Sequence, residues 1–178
     1  DAAQGVNAQF KGKYLGTIGH FGCYSFHETK NYSMGEGGAL VVNDERFIER
    51  AEIIREKGTD RSKFYRGEID KYSWVDVGSS YLPSDISAAI LWAQLEHLDK
   101  IQEKRRHIHE MYFNGLSYLE EKGRFRLPII NDYAESNYHL FYLLMNTEEE
   151  RDNLLSHLKE NGIHAVFHYV PLHLSAFY

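Results

Sequence analysis

Apolar and polar positions alternate along this chain in blocks whose periods change, and those changes mark the elements. Residues 5 to 19 carry Gly5, Gly12, Gly16 and Gly19 with polar residues between them, the pattern of a loop with turns. A buried strand is expected over about 20 to 26, and the β-branched run Gly38-Ala39-Leu40-Val41-Val42-Asn43 predicts another. The link between them is too short for a crossover helix, so within one sheet they are antiparallel or not direct neighbours. Asn43-Asp44 then offers an N-cap to a helix with Phe47, Ile48, Ala51, Ile53 and Ile54 on one stripe and a stop at Lys57-Gly58.

Residues 59 to 82 show little periodicity and place Tyr65, Tyr72, Trp74 and Tyr81 among charges and glycines, a long irregular loop of the kind that usually serves function. Ser84-Asp85 caps a helical pattern through Ile86, Ala89, Ile90, Ala93, Leu95 and Leu98. The pattern continues past Ile101, Ile108, Met111, Tyr112, Leu116 and Leu119 to Gly123 as one long connecting helix, with a bend expected near Asp99. A strand near 138 to 146, a helix from Thr147 to Asn161 with Leu154, Leu155 and Leu158 inward, and a strand from Ile163 to Val170 complete the series. The organisation expected is therefore residues 1–84 in one domain, 85–122 as a connecting helix and 123–178 as a small α+β domain. The chain opens at Asp1 and stops just after an apolar run, which reads as a piece of something longer.

At 178 residues with a formal net charge of -6, the chain reads as a soluble globular protein with no basic stripe of the kind a nucleic-acid backbone requires. No apolar stretch reaches membrane-spanning length and the first residues lack a signal-peptide pattern, so a cytoplasmic protein is expected. The single cysteine, Cys23, lies in an apolar run and is expected to be a buried structural thiol. Ten histidines raise the question of metal, but His107 and His109 point to different faces of a helix, and His164 and His168 lack a Cys or carboxylate at ligand spacing. No metal site is expected.

The chemistry gathers around Lys30, within Ser25-Phe26-His27-Glu28-Thr29-Lys30-Asn31, with Gly35-Glu36-Gly37-Gly38 behind it and Asp1-Ala2-Ala3-Gln4 ahead. Pyridoxal phosphate (PLP) needs a lysine amine for a Schiff base, a carboxylate for the pyridine nitrogen and donors for the phosphate. Lys30, Asp1 and Ser25 supply one each. The glycines admit two readings: backbone brought close to a ligand, or an ordinary tight turn before a strand.

These runs, with Arg55-Glu56-Lys57-Gly58-Thr59 and the closing Phe167-His168-Tyr169-Val170-Pro171-Leu172-His173, resemble the PLP-dependent sugar aminotransferases of the DegT/StrS type, of fold type I. The resemblance covers nearly the whole chain. It implies an α/β fold, the later part of an aspartate aminotransferase-like PLP domain with a mixed sheet, followed by the small α+β domain. It implies that Lys30 binds the cofactor and shuttles the proton, that Asp1 pairs with the pyridinium nitrogen, that Gln4 approaches the ring's phenolic oxygen and that Ser25 donates to the phosphate. Ser80-Tyr81-Leu82 stands where many members have Asn-Tyr-Arg, so Ser80 would make a weaker bond to the phosphate held by a neighbouring subunit.

A homodimer, an amino acid donor such as glutamate and a nucleotide-linked keto-sugar of the dTDP-4-keto-6-deoxyhexose type follow from the same likeness. The half of the family that supplies the rest of the phosphate cup and the ring-stacking aromatic is expected to be missing from this chain. Tyr65, Tyr72, Trp74, His168 and His173 are candidates for substrate contact. Three rivals stay open: a sugar dehydratase of the same fold, in which a His takes the lysine position, a non-catalytic phosphate or nucleotide-sugar binding module, and a truncated chain with no activity of its own.

Overall fold

The structure, a computed structural model, describes residues 1–177. In chain order its elements are β1 (Gln9–Phe10), β2 (Lys13–Tyr14), β3 (Phe21–Ser25), β4 (Gly38–Val42), α1 (Ile48–Arg55), α2 (Arg61–Tyr65), α3 (Asp85–Leu95), α4 (Leu98–Glu121), β5 (Phe125–Arg126), β6 (Ala134–Glu135), β7 (Leu144–Met145) and α5 (Glu148–Glu160). They fall into two compact units. The first holds Asp1–Met111 and Ile129–Phe141, the second Tyr112–Pro128 and the chain from Tyr142 onward.

In the first unit, β3 and β4 form an antiparallel pair over their full length, from Phe21 opposite Val42 to Ser25 opposite Gly38, as their short link requires. Phe26, Tyr32 and Met34 are the buried apolar cluster beside this pair, and Val6, Tyr24, Leu91, Leu95, Leu98 and Ile101 pack on it. The segment between the strands is thereby closed at its base. Phe26 donates its N–H to Gly37 at 2.8 Å and accepts from the Met34 N–H at 2.9 Å. Tyr32 is 1% exposed, and burial pushes its phenol above the ordinary range. Gln94 of α3 reaches the same segment, accepting from Ser33 N–H at 3.0 Å and donating to Ser33 C=O at 2.6 Å.

Several sequence expectations change here. Residues 5–19 contain a hairpin, β1 with β2, whose turn residues Lys11 and Gly12 both take positive φ, the geometry that matches the twist of paired strands. β6 adds to β1 as a third strand. The 59–82 segment holds α2 and is pinned by paired bridges, Thr59 with Trp74 and Glu56 with Ser80, while the Gly58 carbonyl accepts from the N–H groups of Val75 and Asp76. The long helix is two helices, with a tight turn at Glu96-His97. There the His97 N–H turns to Gln94 C=O, a three-residue closure typical of a helix end. No Gly or Pro marks the place, so apolar periodicity runs straight through it.

Cys23 is exposed, not buried. Side chains alternate across a strand, and on β3 the covered positions are Gly22 and Tyr24, which leaves Cys23 on the face of exposed Phe21.

In the second unit, β5 pairs antiparallel with β7, and α5 follows with Thr147 as its N-cap, the hydroxyl accepting from Glu150 N–H at 3.1 Å. The strand expected at 138–146 is reduced to Leu144–Met145. Tyr138, at φ 52°, has left-handed backbone that an extended run cannot contain. The strand expected at 163–170 is absent among the described residues: Tyr169 has φ 60° and its N–H closes on Phe167 C=O, and no ladder partner holds the run extended. No helix of the described residues is long and apolar enough to cross a membrane, and no three His, Cys, Asp or Glu side chains among them group as a metal site.

His109 on α4 is buried, with ring centroids 5.1 Å from Tyr138 and 5.0 Å from Phe141. Burial pushes the imidazole below its usual range, against a smaller opposing pull from Glu110. As pH falls the unfolded chain binds the proton first. Stability is therefore full above about pH 6.5, the unfolded value, and declines as pH drops from there toward the lower folded value. Thermal melts of the wild type and His109→Phe between neutral and mildly acidic pH check this: the variant is expected to show a shallower fall in Tm, and parallel curves would contradict it.

Candidate active site

The turn that carries Lys30 begins at the end of β3, where the Lys30 N–H donates to His27 C=O at 2.9 Å. Because Phe26 on one side and Tyr32 and Met34 on the other are buried, the polar residues between them are held outward on a fixed base. Lys30 is half-buried, and its amine has no side-chain partner among the described residues. His27 organises the turn, its Nδ1 3.0 Å from Thr29 Oγ1 and accepting from Thr29 N–H at 3.2 Å, and its Nε2 3.5 Å from Glu36 Oε1. Ser25, half-buried at the strand end, accepts from His27 N–H at 3.4 Å through Oγ, which leaves the hydroxyl hydrogen to donate elsewhere.

Two backbone connections bring the start of the chain to the same edge. The Ala2 N–H donates to Cys23 C=O at 3.0 Å, two residues before Ser25, and buried Ala2 anchors the loop. The Asp1 carboxylate is exposed and accepts from Ala3 N–H at 2.9 Å. Gln4 presents an exposed side chain while its carbonyl accepts from Asn137 Nδ2 at 2.7 Å. Asp1, Gln4, Ser25 and Lys30 are thus attached to one strand end and the two loops beside it. Ser80 is placed elsewhere in the same unit, exposed and bridged to Glu56 beyond the end of α1.

Of the five candidates for substrate contact, Tyr65 and Tyr72 flank the Arg61 guanidinium, at 4.9 Å and 5.7 Å from its carbon. Trp74 is 76% exposed. The His168 ring lies tilted against Tyr169, centroids 5.0 Å apart, and both His168 and His173 belong to the second unit.

Reading along the sequence missed three residues. Asn31 donates from Nδ2 to Asn137 C=O at 3.2 Å, and its Oδ1 meets His139 Nδ1 in a short hydrogen bond. Asn137, 6% exposed, donates to the Gln4 and Val6 carbonyls and accepts from His139 N–H. Asn31 stood inside the lysine run, but only tertiary contact distinguishes Asn137 and His139 from other polar residues ahead of an apolar stretch.

The architecture is that of a fold type I PLP enzyme, in which a lysine follows a strand end in a glycine-flanked turn. The DegT/DnrJ/EryC1/StrS aminotransferase family matches residues 1–178, and the chain belongs to it. Among its relatives is the dTDP-3-amino-3,4,6-trideoxy-alpha-D-glucose transaminase of Streptomyces venezuelae, 33% identical over 180 residues, which cover 100% of this chain and 44% of that protein. The structure of DesV from S. venezuelae in complex with a ketimine intermediate superposes with a TM-score of 0.80 at 32% identity, over 99% of this chain and 44% of that one. Spr1654 from Streptococcus pneumoniae, solved in its PLP form, gives 0.81 at 25% identity, over 99% of this chain and 45% of that one. The chain spans less than half the length of the relatives it matches.

The glycines at 35–38 have a local explanation. Gly37 has φ 151°, and a Cβ there would lie 2.6 Å from the sulfur of buried Met34; one on Gly38 would lie 2.6 Å from the Tyr24 carbonyl oxygen. Gly35 also has positive φ but open space around it. Gly37→Ala is therefore expected to destabilise the ligand-free protein by about 1–3 kcal/mol, through strain and displacement of Met34, and Gly35→Ala by less. Chemical denaturation of both variants tests the order; an unchanged midpoint for Gly37→Ala would show that packing does not require this glycine.

Proposed function

We propose that the protein carrying this chain is a PLP-dependent aminotransferase that moves an amino group from an amino acid, glutamate by resemblance, to a nucleotide-linked keto-sugar. The observation that carries the reading is half-buried Lys30, its amine without a side-chain partner among the described residues, in a turn clamped by Phe26, Tyr32 and Met34. The donor set beside it fits the cofactor: a primary amine, a hydroxyl with its hydrogen to give, and a carboxylate on an exposed loop, all tied to the end of β3. PLP, when bound, supplies an electron sink for the carbon that loses its proton.

Lys30 Nζ holds the cofactor and carries the proton to and from the reacting carbon. Asp1 keeps the ring nitrogen protonated, which its carboxylate favours by charge. Ser25 Oγ donates to the phosphate and Gln4 orients the ring oxygen. Ser80, at its separate place beside Glu56, serves the phosphate of a second subunit in a homodimer. The exposed aromatics Trp74, Tyr81 and Trp92 supply apolar surface for that contact.

The domain reading belongs to the same proposal: 1–84 as the later part of the large PLP domain, 85–122 as the helical connection and 123–178 as the small domain. So does the acceptor. The lysine run, Arg55-Glu56-Lys57-Gly58-Thr59 and the closing Phe167–His173 run resemble the transaminase that makes dTDP-4-amino-4,6-dideoxygalactose, which favours a dTDP-4-keto-6-deoxyhexose. A lysine at position 30, where the sugar dehydratases of this fold carry His, favours amino transfer over dehydration.

Reduction of the PLP-treated protein with borohydride, followed by peptide mass spectrometry, tests the assignment. One label on Lys30 is expected, with turnover in Lys30→Ala falling to background while circular dichroism is unchanged. Labelling of another lysine, or retained turnover, would overturn it, and an absence of any preferred label favours a non-catalytic binding module.

A further inference from the structure

The polar side chains behind the Lys30 turn form a connected set with its own geometry. Asn31 follows Lys30 directly, and both ends of its carboxamide are used on residues 137–139: Nδ2 donates to Asn137 C=O, and Oδ1 meets His139 Nδ1. Since Asn31 Oδ1 has only lone pairs to offer, His139 carries its proton on Nδ1 in this arrangement. Asn137 is also used at both ends. Its Oδ1 accepts from His139 N–H at 3.2 Å, and its Nδ2 donates to Gln4 C=O at 2.7 Å and Val6 C=O at 2.9 Å.

The segment that carries these groups is itself held in an unfavourable conformation. Tyr138 takes φ 52°, which a bulky residue adopts only where its surroundings impose it. Those surroundings are visible: Tyr138 N–H donates to Ser136 Oγ at 3.0 Å, its carbonyl lies 3.5 Å from an Arg105 donor, its ring packs by His109, and Gln102 of α4 donates to Ser136 C=O at 2.8 Å. The turn at Tyr138 lets Asn137 and His139 both address the Lys30 side of the unit.

We propose that Asn137 is a positioning residue that couples the two loops of the cofactor site. Through Asn31 and His139 it sets the turn of Lys30, and through the Gln4 and Val6 carbonyls it sets the loop that presents Asp1 and Gln4. The inference rests on the site assignment made above and adds to it a group that touches neither substrate nor cofactor. Its physical content is that an amine and a ring-nitrogen partner on separate loops must keep their relative placement. A buried carboxamide with every hydrogen bond directed holds that placement better than apolar packing, which tolerates sliding.

The test uses the protein carrying this sequence, with Asn137→Asp, which faces the Gln4 and Val6 carbonyls with a carboxylate in place of a donor. Asn31→Ala cuts the link on the lysine side alone and decides the matter if Asn137→Asp does not fold. Thr147→Ala, which strips the cap of α5 far along the chain, is the control for a general loss of stability. Absorbance titration with PLP is expected to show Kd raised about 10-fold in both site variants, the scale on which misplaced groups lose function. A shifted midpoint in the pH titration of the bound cofactor's absorbance should accompany it, with neither change in Thr147→Ala.

Borohydride labelling of the wild type separates the two readings. If Lys30 takes no label, the site assignment fails and this inference falls with it. If Lys30 labels and both site variants bind PLP with wild-type Kd and midpoint, the site stands and the coupling role is overturned. An equal loss of affinity in Thr147→Ala also overturns it, because the effect would then be one of stability alone.

Discussion

Burial of Phe26, Tyr32 and Met34 beneath α3 and the start of α4 is the constraint on which the rest of the first unit depends. These residues flank the Lys30 turn in sequence, so placing them in the core fixes where the turn leaves and rejoins the packed structure. The Phe26–Gly37 and Met34–Phe26 backbone bonds then close its base. Each fully buried aromatic or Met side chain stabilises by about 1.5–3 kcal/mol, enough to hold a short polar turn whose own residues contribute little. The same packing explains the glycines at 37 and 38, where a side chain would strike Met34 or the Tyr24 carbonyl.

Polar interactions do a different job. Surface ion pairs such as Arg66 with Glu52 and Glu68, or Arg151 with Glu148 and Asp152, are exposed or half-exposed and reached by solvent, and stabilise by little. The buried carboxamide of Asn137 has no water to fall back on, so its partners are specified closely. The apolar cluster therefore decides that the turn is ordered, and the Asn31–Asn137–His139 set decides how it is oriented relative to the loop before it.

Membership of the aminotransferase family and the role proposed for Lys30 rest on different grounds. The family match covers the chain from end to end. The geometry is independent of it: an amine held at a strand end, a hydroxyl whose hydrogen is free to donate, and a carboxylate carried to the same edge by the Ala2 bond to β3. The roles proposed for Lys30, Asp1, Gln4 and Ser25 draw on that placement at one strand end and the loops beside it. Ser80, pinned to Glu56, contributes only if a second subunit presents its site there.

The two central strands, the caps at Asp44, Ser84 and Thr147, and the lysine run were legible from residue order, because strand alternation, capping and a glycine-flanked lysine are local patterns. Elements whose existence depends on a distant partner were not. The β1–β2 hairpin joined by β6, the break at Glu96-His97, the exposed Cys23 and the lost strand at 163–170 each turn on which backbone groups and faces find partners across the fold. The Asn137 network belongs to the same class, since Asn31 and Asn137 are more than one hundred residues apart and nothing local to either announces the other. Sequence by itself determined the chemical groups available and the short elements that carry them. Tertiary structure alone decided which of those groups face each other, because hydrogen bonds and burial between remote segments are properties of the packed chain.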